Sequence, residues 1–305
     1  MSRAATWQSV FNGQTGNLAL AALIGGGITI GFAPILVRLS QVGPAATAFW
    51  RLVLALPVLW LWLVAAPDGL RPARRPTRRA DYRLLLLAGL FFAGDIVNWH
   101  WSLGLTTVAN ATLLVNFAPI FVTLGSWLLF RQRISLIFGV GMAVALAGAT
   151  LLIGASFTLS RQYFWGDFLA VVAAAFYAAY MLSIKVLREK FSVATIMGWS
   201  GLSMVAALGV ITLLSGETVR PFSVLGWLVL LALAWLIHIG GQGLIAFAMA
   251  HLPASFSSVT LLVQPVTATV LAWLLLAEVI GPWQAVGGGL VLLGIFVARR
   301  GSRTG

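Results

Sequence analysis

The chain has 305 residues, of which 60% are hydrophobic and 9% are charged, and its mean hydropathy is +0.99. So much apolar surface cannot be buried inside a soluble core, so the composition predicts a membrane protein. The net charge of +12 sits at the ends of apolar runs, which argues against a nucleic-acid partner. The absence of cysteine excludes a disulfide framework and a thiolate metal site, and we expect neither a metal nor a cofactor.

Ten apolar runs of about twenty residues are long enough to cross a hydrocarbon core of roughly 30 Å. They lie at 18–40, 43–65, 82–105, 108–130, 134–155, 166–188, 193–214, 224–249, 254–276 and 281–298. The expected fold is therefore all-α, a polytopic membrane protein with ten transmembrane helices. The first run is too long for a signal-peptide core and has no small-x-small cleavage site, so we expect it to be retained.

Basic residues are distributed unevenly between the two sides of these helices. With the N-terminus in the cytoplasm, fifteen of the nineteen Lys and Arg residues fall on the cytoplasmic side, several of them in the linker at 66–81. Three fall outside, and Arg51 lies within a helix. The positive-inside rule then predicts a multi-pass protein of a bacterial-type cell (inner) membrane, with both termini cytoplasmic.

The stretch at 107–152 is similar to the stretch at 253–298 when the two are aligned without a gap, and the identical residues extend over thirty positions. The matched positions include a proline, a tryptophan and two glycines: Pro119 and Pro265, Trp127 and Trp273, Gly141 and Gly287, Gly148 and Gly294. Apolar composition alone would not keep these residue types aligned, so the pattern predicts a duplicated membrane unit. We expect a tail at 1–17, a first five-helix repeat at 18–155, a second at 166–298 and a tail at 299–305. Five is an odd number, so the second repeat enters the membrane from the opposite face and is inverted.

Polar and aromatic side chains at the middle of the third and eighth helices are the first candidates for a binding site. On the third helix, four residues share one stripe: Asp95, Asn98, Trp99 and Ser102. On the eighth helix, the repeat counterpart of the third, the stripe consists of Trp235, His238 and Gln242. Charged and polar groups at this depth are costly, so they favour a functional role. A structural ion pair between Asp95 and Arg51, or a hydrogen-bonded core position for His238, is the alternative.

The fourth and ninth helices add Asn116 and Gln264, each on a face with Thr or Ser residues. Four polar stripes around a common axis predict a wet or ligand-filled cavity, although such amides also hold membrane helices together. Pro119 and Pro265 are predicted helix kinks that either free carbonyl groups towards the cavity or serve packing alone. Trp99, Trp101 and Trp235 lie deep enough to stack on a flat substrate.

The seventh helix contains the string Gly198-Trp199-Ser200-Gly201, a GxSG pattern found around the nucleophile of intramembrane serine proteases. His238 would be the base in such an enzyme. The string is short in a chain with 32 glycines, and a protease would not explain an inverted ten-helix layout. An ion channel is also disfavoured, because the sequence shows no selectivity ring. We therefore expect no enzymatic activity.

Several longer runs resemble the drug/metabolite transporter superfamily, and within it the ten-helix EamA-type exporters. They are AFWRLVLALPVLW around Arg51, WSLGLTTVANATLLVNFAPIFVTLGSWLL, GVGMAVALAGATLL and ASFSSVTLLVQPVTATVLAWLLLAEVIGPWQAVGGGLVLLGIFV. The sequence is most similar to the YddG-type exporters, which are associated with aromatic amino acids and methyl viologen. Members of the EamA-type family usually have a Glu at the end of the fourth and ninth helices. This sequence has Gln132 and Glu278 at these positions.

The resemblance implies export of small metabolites, with amino acids favoured and cationic drugs included, by alternating access about a midplane cavity. Another carrier of the same superfamily, with an unrelated metabolite as substrate, is the alternative. The expected partners are a small-molecule substrate, the lipid bilayer and protons. In this hypothesis Asp95, Asn98 and Asn116 bind an ammonium group and Asp95 is a candidate proton carrier. His238, Gln242 and Gln264 bind a carboxylate or carbonyl group.

Overall fold

The computed structural model describes residues 14–65, 76–106, 108–153, 161–276 and 281–304. All regular secondary structure in these ranges is helical, which confirms the all-α prediction. The helices form ten spans: α1 (Gln14–Gly31 and Ala33–Arg38), α2 (Pro44–Ala65), α3 (Arg79–Leu105), α4 (Val108–Val115 and Ala118–Phe130), α5 (Leu136–Ile153), α6 (Phe164–Leu187), α7 (Val193–Ser215), α8 (Val224–Ala232, Leu233–Gln242 and Gly243–Met249), α9 (Ala254–Thr260 and Val263–Leu276) and α10 (Pro282–Thr304).

Nine of these spans are long and apolar enough, by length and composition, to cross a membrane within the described ranges. The tenth, α3, has 27 residues; Arg79, Asp81 and Arg83 lie in its first turns, and Asp95, Asn98 and His100 lie further along. Three predicted features lie outside the described residues: the N-terminal tail up to residue 13, the linker at 66–75 and Glu278.

The packing of α5 against α10 shows how the two repeats are related. A Cβ atom added at Gly148 would lie 2.5 Å from the backbone nitrogen of Val291, and one added at Gly287 would lie 2.6 Å from that of Leu152. Residue numbers rise along one helix as they fall along the other, so the helices are antiparallel. Because α5 and α10 occupy equivalent places in the two repeats, their opposite directions mean that the repeats are inverted.

Three spans are interrupted close to a proline. α4 breaks at 116–117, ahead of Pro119, and α9 breaks at 261–262, ahead of Pro265. α1 breaks at Phe32, ahead of Pro34, which was not predicted from the sequence. Proline has no backbone N–H group and so cannot donate a hydrogen bond to the preceding turn, which explains why a new helical segment begins close to each proline. Pro57 lies inside α2 without such a break.

The middle of α8 forms a π-helix, Leu233–Gln242. Its i→i+5 hydrogen bonds make the turn wider than that of an α-helix. Residues three or seven positions apart therefore no longer share one face. Its repeat counterpart α3 is a continuous α-helix, so the two repeats differ in local structure at equivalent depths.

Candidate functional site

A cavity of about 190 Å³ lies at the centre of the helical bundle. It is lined by residues from α1, α2, α3, α4, α6, α8 and α9, so both repeats contribute to it. Its polar and charged lining consists of Thr47, Arg51, Asp95, His100, Thr112, Asn116, Tyr177, Gln242 and Gln264. The volume is smaller than the roughly 300–1,000 Å³ of pockets for drug-sized ligands, which favours a small metabolite as ligand.

The cavity extends from the middle of the bundle towards one face. On α1 the lining residues begin at Ile30 and continue towards the Arg38 end, and on α2 they lie near the beginning, from Thr47 to Arg51. The α4 residues also come from the first half of their span. All these helix ends lie away from the Gln14 end of α1. The cavity therefore approaches the face opposite the beginning of the chain.

The other face is closed by buried residues and polar contacts. All residues at 252–263, which connect α8 to α9 and begin α9, are buried. Lys185 Nζ at the end of α6 donates hydrogen bonds to the backbone oxygens of Met249 at 2.9 Å and Leu252 at 3.0 Å. Gln132, after α4, donates from Nε2 to the Ser255 hydroxyl oxygen at 3.0 Å. A neutral amide thus makes this contact at the position where the resemblance leads one to expect a glutamate.

Arg51 and Asp95 bring opposite charges to the same cavity. They are close enough to attract each other electrostatically. In the described part of the chain, however, no ion pair within 4.0 Å joins Asp95 to a basic group. The Nε atom of Arg51 is buried without a hydrogen-bond partner. The two charges therefore face a common space without neutralising each other by direct contact.

Amides and a phenol surround this charged pair. The Tyr177 hydroxyl lies beside the Gln242 and Gln264 side chains. The Gln242 Oε1 atom is buried without a hydrogen-bond partner. Asn116 Nδ2 donates to the Thr112 backbone oxygen at 2.7 Å, which leaves its amide oxygen available. The cavity thus offers at least the Asn116 amide oxygen as an acceptor for a polar ligand.

Apolar and aromatic residues form the remaining wall. Trp99 lines the cavity and its ring centroid lies 5.2 Å from that of His100, which lines it as well. Phe92, about two turns before Trp99 on α3, also lines the cavity. A mainly apolar lining that carries a small number of precisely placed polar groups is typical of small-molecule sites.

The structure places six residues of the predicted site at this cavity: Asp95, Trp99, Asn116, Gln242, Gln264 and Pro265. It places the other five elsewhere: Asn98, Trp101, Pro119, Trp235 and His238.

On α3, Asn98 donates from Nδ2 to the Gly94 backbone oxygen at 2.7 Å, so its amide is used within its own helix. Trp101 is 49% exposed on the outside of the bundle. It lies two positions from Trp99, and such residues face different directions on an α-helix. The two tryptophans therefore lie at a similar depth in α3 but on different faces of it.

On α8, the π-helix explains why the predicted stripe is not found. Trp235 is 53% exposed and its Nε1 atom donates to the Leu54 backbone oxygen at 3.2 Å. His238 is 1% exposed in the protein core, beside the Phe92 ring. Only Gln242 of the three reaches the cavity. The α-helical periodicity on which the stripe depended does not hold in this segment.

Among the cavity residues outside the predicted site, three carry ionisable side chains: Arg51, His100 and Tyr177. Arg51 was considered only as a structural partner of Asp95, although it lies inside the apolar run at 43–65 and not at its end. His100 lies outside the stripe of α3 that contains Asp95, so that stripe does not predict it. Tyr177 lies in the alanine-rich stretch AAAFYAAY of α6 and carried no sequence signal of its own.

The protease alternative requires a Ser200–His238 contact. Both ring nitrogens of His238 are buried without a hydrogen-bond partner, so this histidine is not bonded to the Ser200 hydroxyl. Ser200 is itself buried in α7. The arrangement of a nucleophile hydrogen-bonded to its base is therefore not present.

The residues of α4 and α9 that line the cavity have buried counterparts in the other repeat. The pairs, 146 positions apart and with the cavity residue first, are Thr112 and Ser258, Val115 and Leu261, Asn116 and Leu262, Gln264 and Ala118, Pro265 and Pro119, Ala268 and Val122. With the exception of the two prolines, which are both buried, equivalent positions of the two repeats thus occupy opposite environments. Such asymmetry between inverted repeats is expected in a carrier whose cavity is open to one side of the membrane only.

Inverted helical repeats around a central cavity are a common architecture of membrane transporters. Residues 17–154 and 164–300 each match the model of the EamA-like transporter family. The chain therefore belongs to the EamA-like transporter family, within the drug/metabolite transporter superfamily.

Several relatives carry transporter or exporter names. The chain is 26% identical over 272 residues to the probable terminal-alkyne amino-acid exporter of Streptantibioticus cattleyicolor, which covers 88% of both chains. It is 26% identical over 231 residues to the pseudopaline exporter CntI of Pseudomonas aeruginosa, covering 76% of this chain and 80% of that one. A solved crystal structure superposes with a TM-score of 0.79 at 20% identity, over 93% of this chain and 98% of the other, and supports the fold.

Proposed function

We propose that this transporter exports small metabolites, amino acids first and aromatic ones above all, by alternating access. The opposite environments of equivalent residues on α4 and α9 carry this proposal. If the inverted repeats exchange conformations, the buried counterparts become the lining of a cavity that faces the other side. The division into units at 18–155 and 166–298 is part of the proposal, and the two family matches support it.

Amino acids are favoured as substrates for three reasons. The cavity is small, it carries both an acidic and a basic side chain, and Trp99 and Phe92 provide an aromatic wall. One relative is named as an amino-acid exporter, which agrees with this choice. Cationic drugs form a second substrate class, since Asp95 can attract a cation. A carrier for an unrelated metabolite is the competing proposal.

The side of the membrane that the cavity faces follows from the charge distribution. Basic residues are concentrated on the side of the termini, which the positive-inside rule places in the cytoplasm of a bacterial-type inner membrane. The cavity then faces the outside in this conformation, and the contacts of Lys185 and Gln132 close the cytoplasmic side. Asp95 is proposed as the group that couples transport to protons, because it is the carboxylate of the cavity.

The experiment is uptake of a labelled amino-acid panel into liposomes that contain only this protein, with and without a pH gradient. We expect saturable uptake of aromatic amino acids that exceeds uptake of aliphatic ones and is accelerated by the gradient. Liposomes with the same lipid but no protein provide the background. Uptake equal to that background for every amino acid would overturn the amino-acid proposal, and a parallel panel of organic cations tests the second class.

A further inference from the structure

Arg51 is a basic side chain that lines the central cavity, and it has no role in the site as first proposed. It lies in α2 within the apolar stretch AFWRLVLALPVLW. Arginine within a membrane span is costly and is found where it pairs with another group or faces a polar cavity. Its position therefore requires a partner, either in the protein or in a ligand.

Among the residues that the structure describes, none forms a hydrogen bond or an ion pair with Arg51. The Nε atom of Arg51 is buried without a hydrogen-bond partner. The opposite charge of Asp95 attracts it but forms no ion pair within 4.0 Å among the described residues. Both residues line the cavity, so a ligand bound there can reach both side chains.

We propose that Arg51 binds the carboxylate of an α-amino acid while Asp95 binds its ammonium group, so that one zwitterion bridges the two side chains. The inference rests on the proposed function and names the groups that select the substrate. The planar guanidinium group donates two parallel hydrogen bonds to a carboxylate, which a neutral amide cannot match. The carboxylate role thereby passes from His238, which is buried and does not line the cavity, to Arg51.

The bridging arrangement also accounts for one amide at the cavity. Asn116 lines the cavity with its Nδ2 atom already bonded within α4, so its amide oxygen, an acceptor, suits the ammonium end of the ligand better than the carboxylate end. The side chain of the amino acid then lies against Trp99 and the apolar wall. Selection by two charges at a fixed separation rejects molecules that carry only one of them, because the other charge is left buried and unpaired.

Three ligands with the same aromatic side chain test this directly in the unaltered protein. They are L-phenylalanine, phenethylamine, which has no carboxylate, and 3-phenylpropionate, which has no ammonium group. Binding is measured by calorimetry on the purified protein in lipid nanodiscs. We expect both analogues to bind about 10- to 100-fold more weakly than phenylalanine, as loss of one charge-assisted interaction implies.

Variants then assign each end of the ligand to a residue. In Arg51→Gln, phenylalanine binding falls about 10- to 100-fold, whereas phenethylamine binding changes little, so the preference for the carboxylate disappears. Asp95→Asn removes the preference over 3-phenylpropionate in the same way. Arg51→Lys keeps part of the preference because the charge remains without the fork. Arg220→Gln removes an exposed arginine outside the cavity and leaves all three affinities unchanged.

The outcomes separate this inference from the proposed function. If phenylalanine is transported but Arg51→Gln weakens phenylalanine and phenethylamine equally, Arg51 is structural and the inference is wrong while amino-acid transport stands. If the unaltered protein binds phenylalanine and phenethylamine equally, the inference is also wrong, whether or not the variants fold. If no amino acid is bound or transported at all, the proposed function fails and the inference fails with it.

Discussion

The Lys185 Nζ atom lies 2.9 Å from the backbone oxygen of Met249, so the end of α6 is tied to the end of α8 on the closed face of the protein. The same ammonium group also reaches the Leu252 oxygen at 3.0 Å. These carbonyl groups lie where a helix ends, and the last turn of a helix favours a cation. The contact must break before this face can open.

Replacing Lys185 by methionine removes these hydrogen bonds while keeping most of the side-chain volume. Hydrogen bonds from a charged donor contribute about 1.5–3 kcal/mol, so we expect the open form of this face to become about tenfold more populated or more. The measurement is the reactivity of Ser257→Cys, at a buried position of α9, towards a membrane-impermeant thiol reagent added on the side of the termini. The sequence has no cysteine, so the introduced thiol is the only one.

Lys190→Met is the matched control for Lys185→Met. Lys190 forms a salt bridge with Asp81 at 3.6 Å, and its side chain is 52% exposed. Surface pairs of this kind contribute at most about 1 kcal/mol, so Ser257→Cys should react as in the parent. Equal reactivity in the two lysine variants would show that Lys185 does not hold this face closed.

The substitution Asp95→Asn tests the acidic side chain of the cavity. It keeps the shape and removes the charge, so we expect uptake of amino acids to fall at least tenfold and the remaining uptake to be insensitive to a pH gradient. Flux into liposomes at several pH values measures both effects. Asp81→Asn, outside the cavity, should transport as the parent does. Full, gradient-driven uptake by Asp95→Asn at every pH would remove this residue from the mechanism.

Trp99 and Trp101 provide a pair of tryptophans on one helix with different surroundings. Trp99 lines the cavity, so Trp99→Ala should raise KM for aromatic amino acids by about three- to tenfold, in line with the loss of an aromatic contact. Trp101 is 49% exposed on the outside of the bundle, so Trp101→Ala should leave KM unchanged. Concentration-dependent uptake measures both. Equal effects of the two substitutions would argue against Trp99 as a substrate contact.

The glycines between α5 and α10 allow the two repeats to approach closely. A Cβ atom at Gly148 would lie 2.5 Å from the Val291 nitrogen and 2.7 Å from the Gly287 oxygen. Backbone atoms cannot move aside as a side chain can, so Gly148→Val should destabilise the folded protein by about 1–3 kcal/mol or more. A Cβ atom at Gly289, on the same helix α10, would contact nothing within 4 Å. Gly289→Val should therefore keep the parent's thermal unfolding temperature in detergent, and an equal loss in both variants would contradict this packing.

The spans and the repeat could be predicted from the sequence because they depend on strong, additive signals. A run of twenty apolar residues has few alternatives to a membrane helix. Pro119, Pro265, Gly148 and Gly294 recur at fixed spacing because the same local geometry is built twice. The close approach of α5 and α10 at these glycines is the physical counterpart of that pattern.

It was harder to predict which residues line the cavity, because this depends on local helix geometry. The stripe of Trp235, His238 and Gln242 assumed α-helical periodicity, and the π-helix turns the first two away from the cavity. Nothing in the local sequence LAWLIHIGGQ distinguishes this winding from an ordinary α-helix. Arg51 had a usable signal, since an arginine in a span is rare. Tyr177 had none, because its role arises from the approach of α6 to Gln242 and Gln264 on other helices.

The most direct test of alternating access compares Ala268→Cys with Val122→Cys. Ala268 lines the open cavity, whereas Val122, its counterpart in the first repeat, is 0% exposed. At rest, Ala268→Cys should react with an impermeant thiol reagent from the side opposite the termini, and Val122→Cys should not react. During transport, Ala268→Cys should lose reactivity while Val122→Cys becomes reactive from the side of the termini. A Val122→Cys protein that transports its substrate yet never reacts from that side would contradict the exchange of conformations between the two repeats.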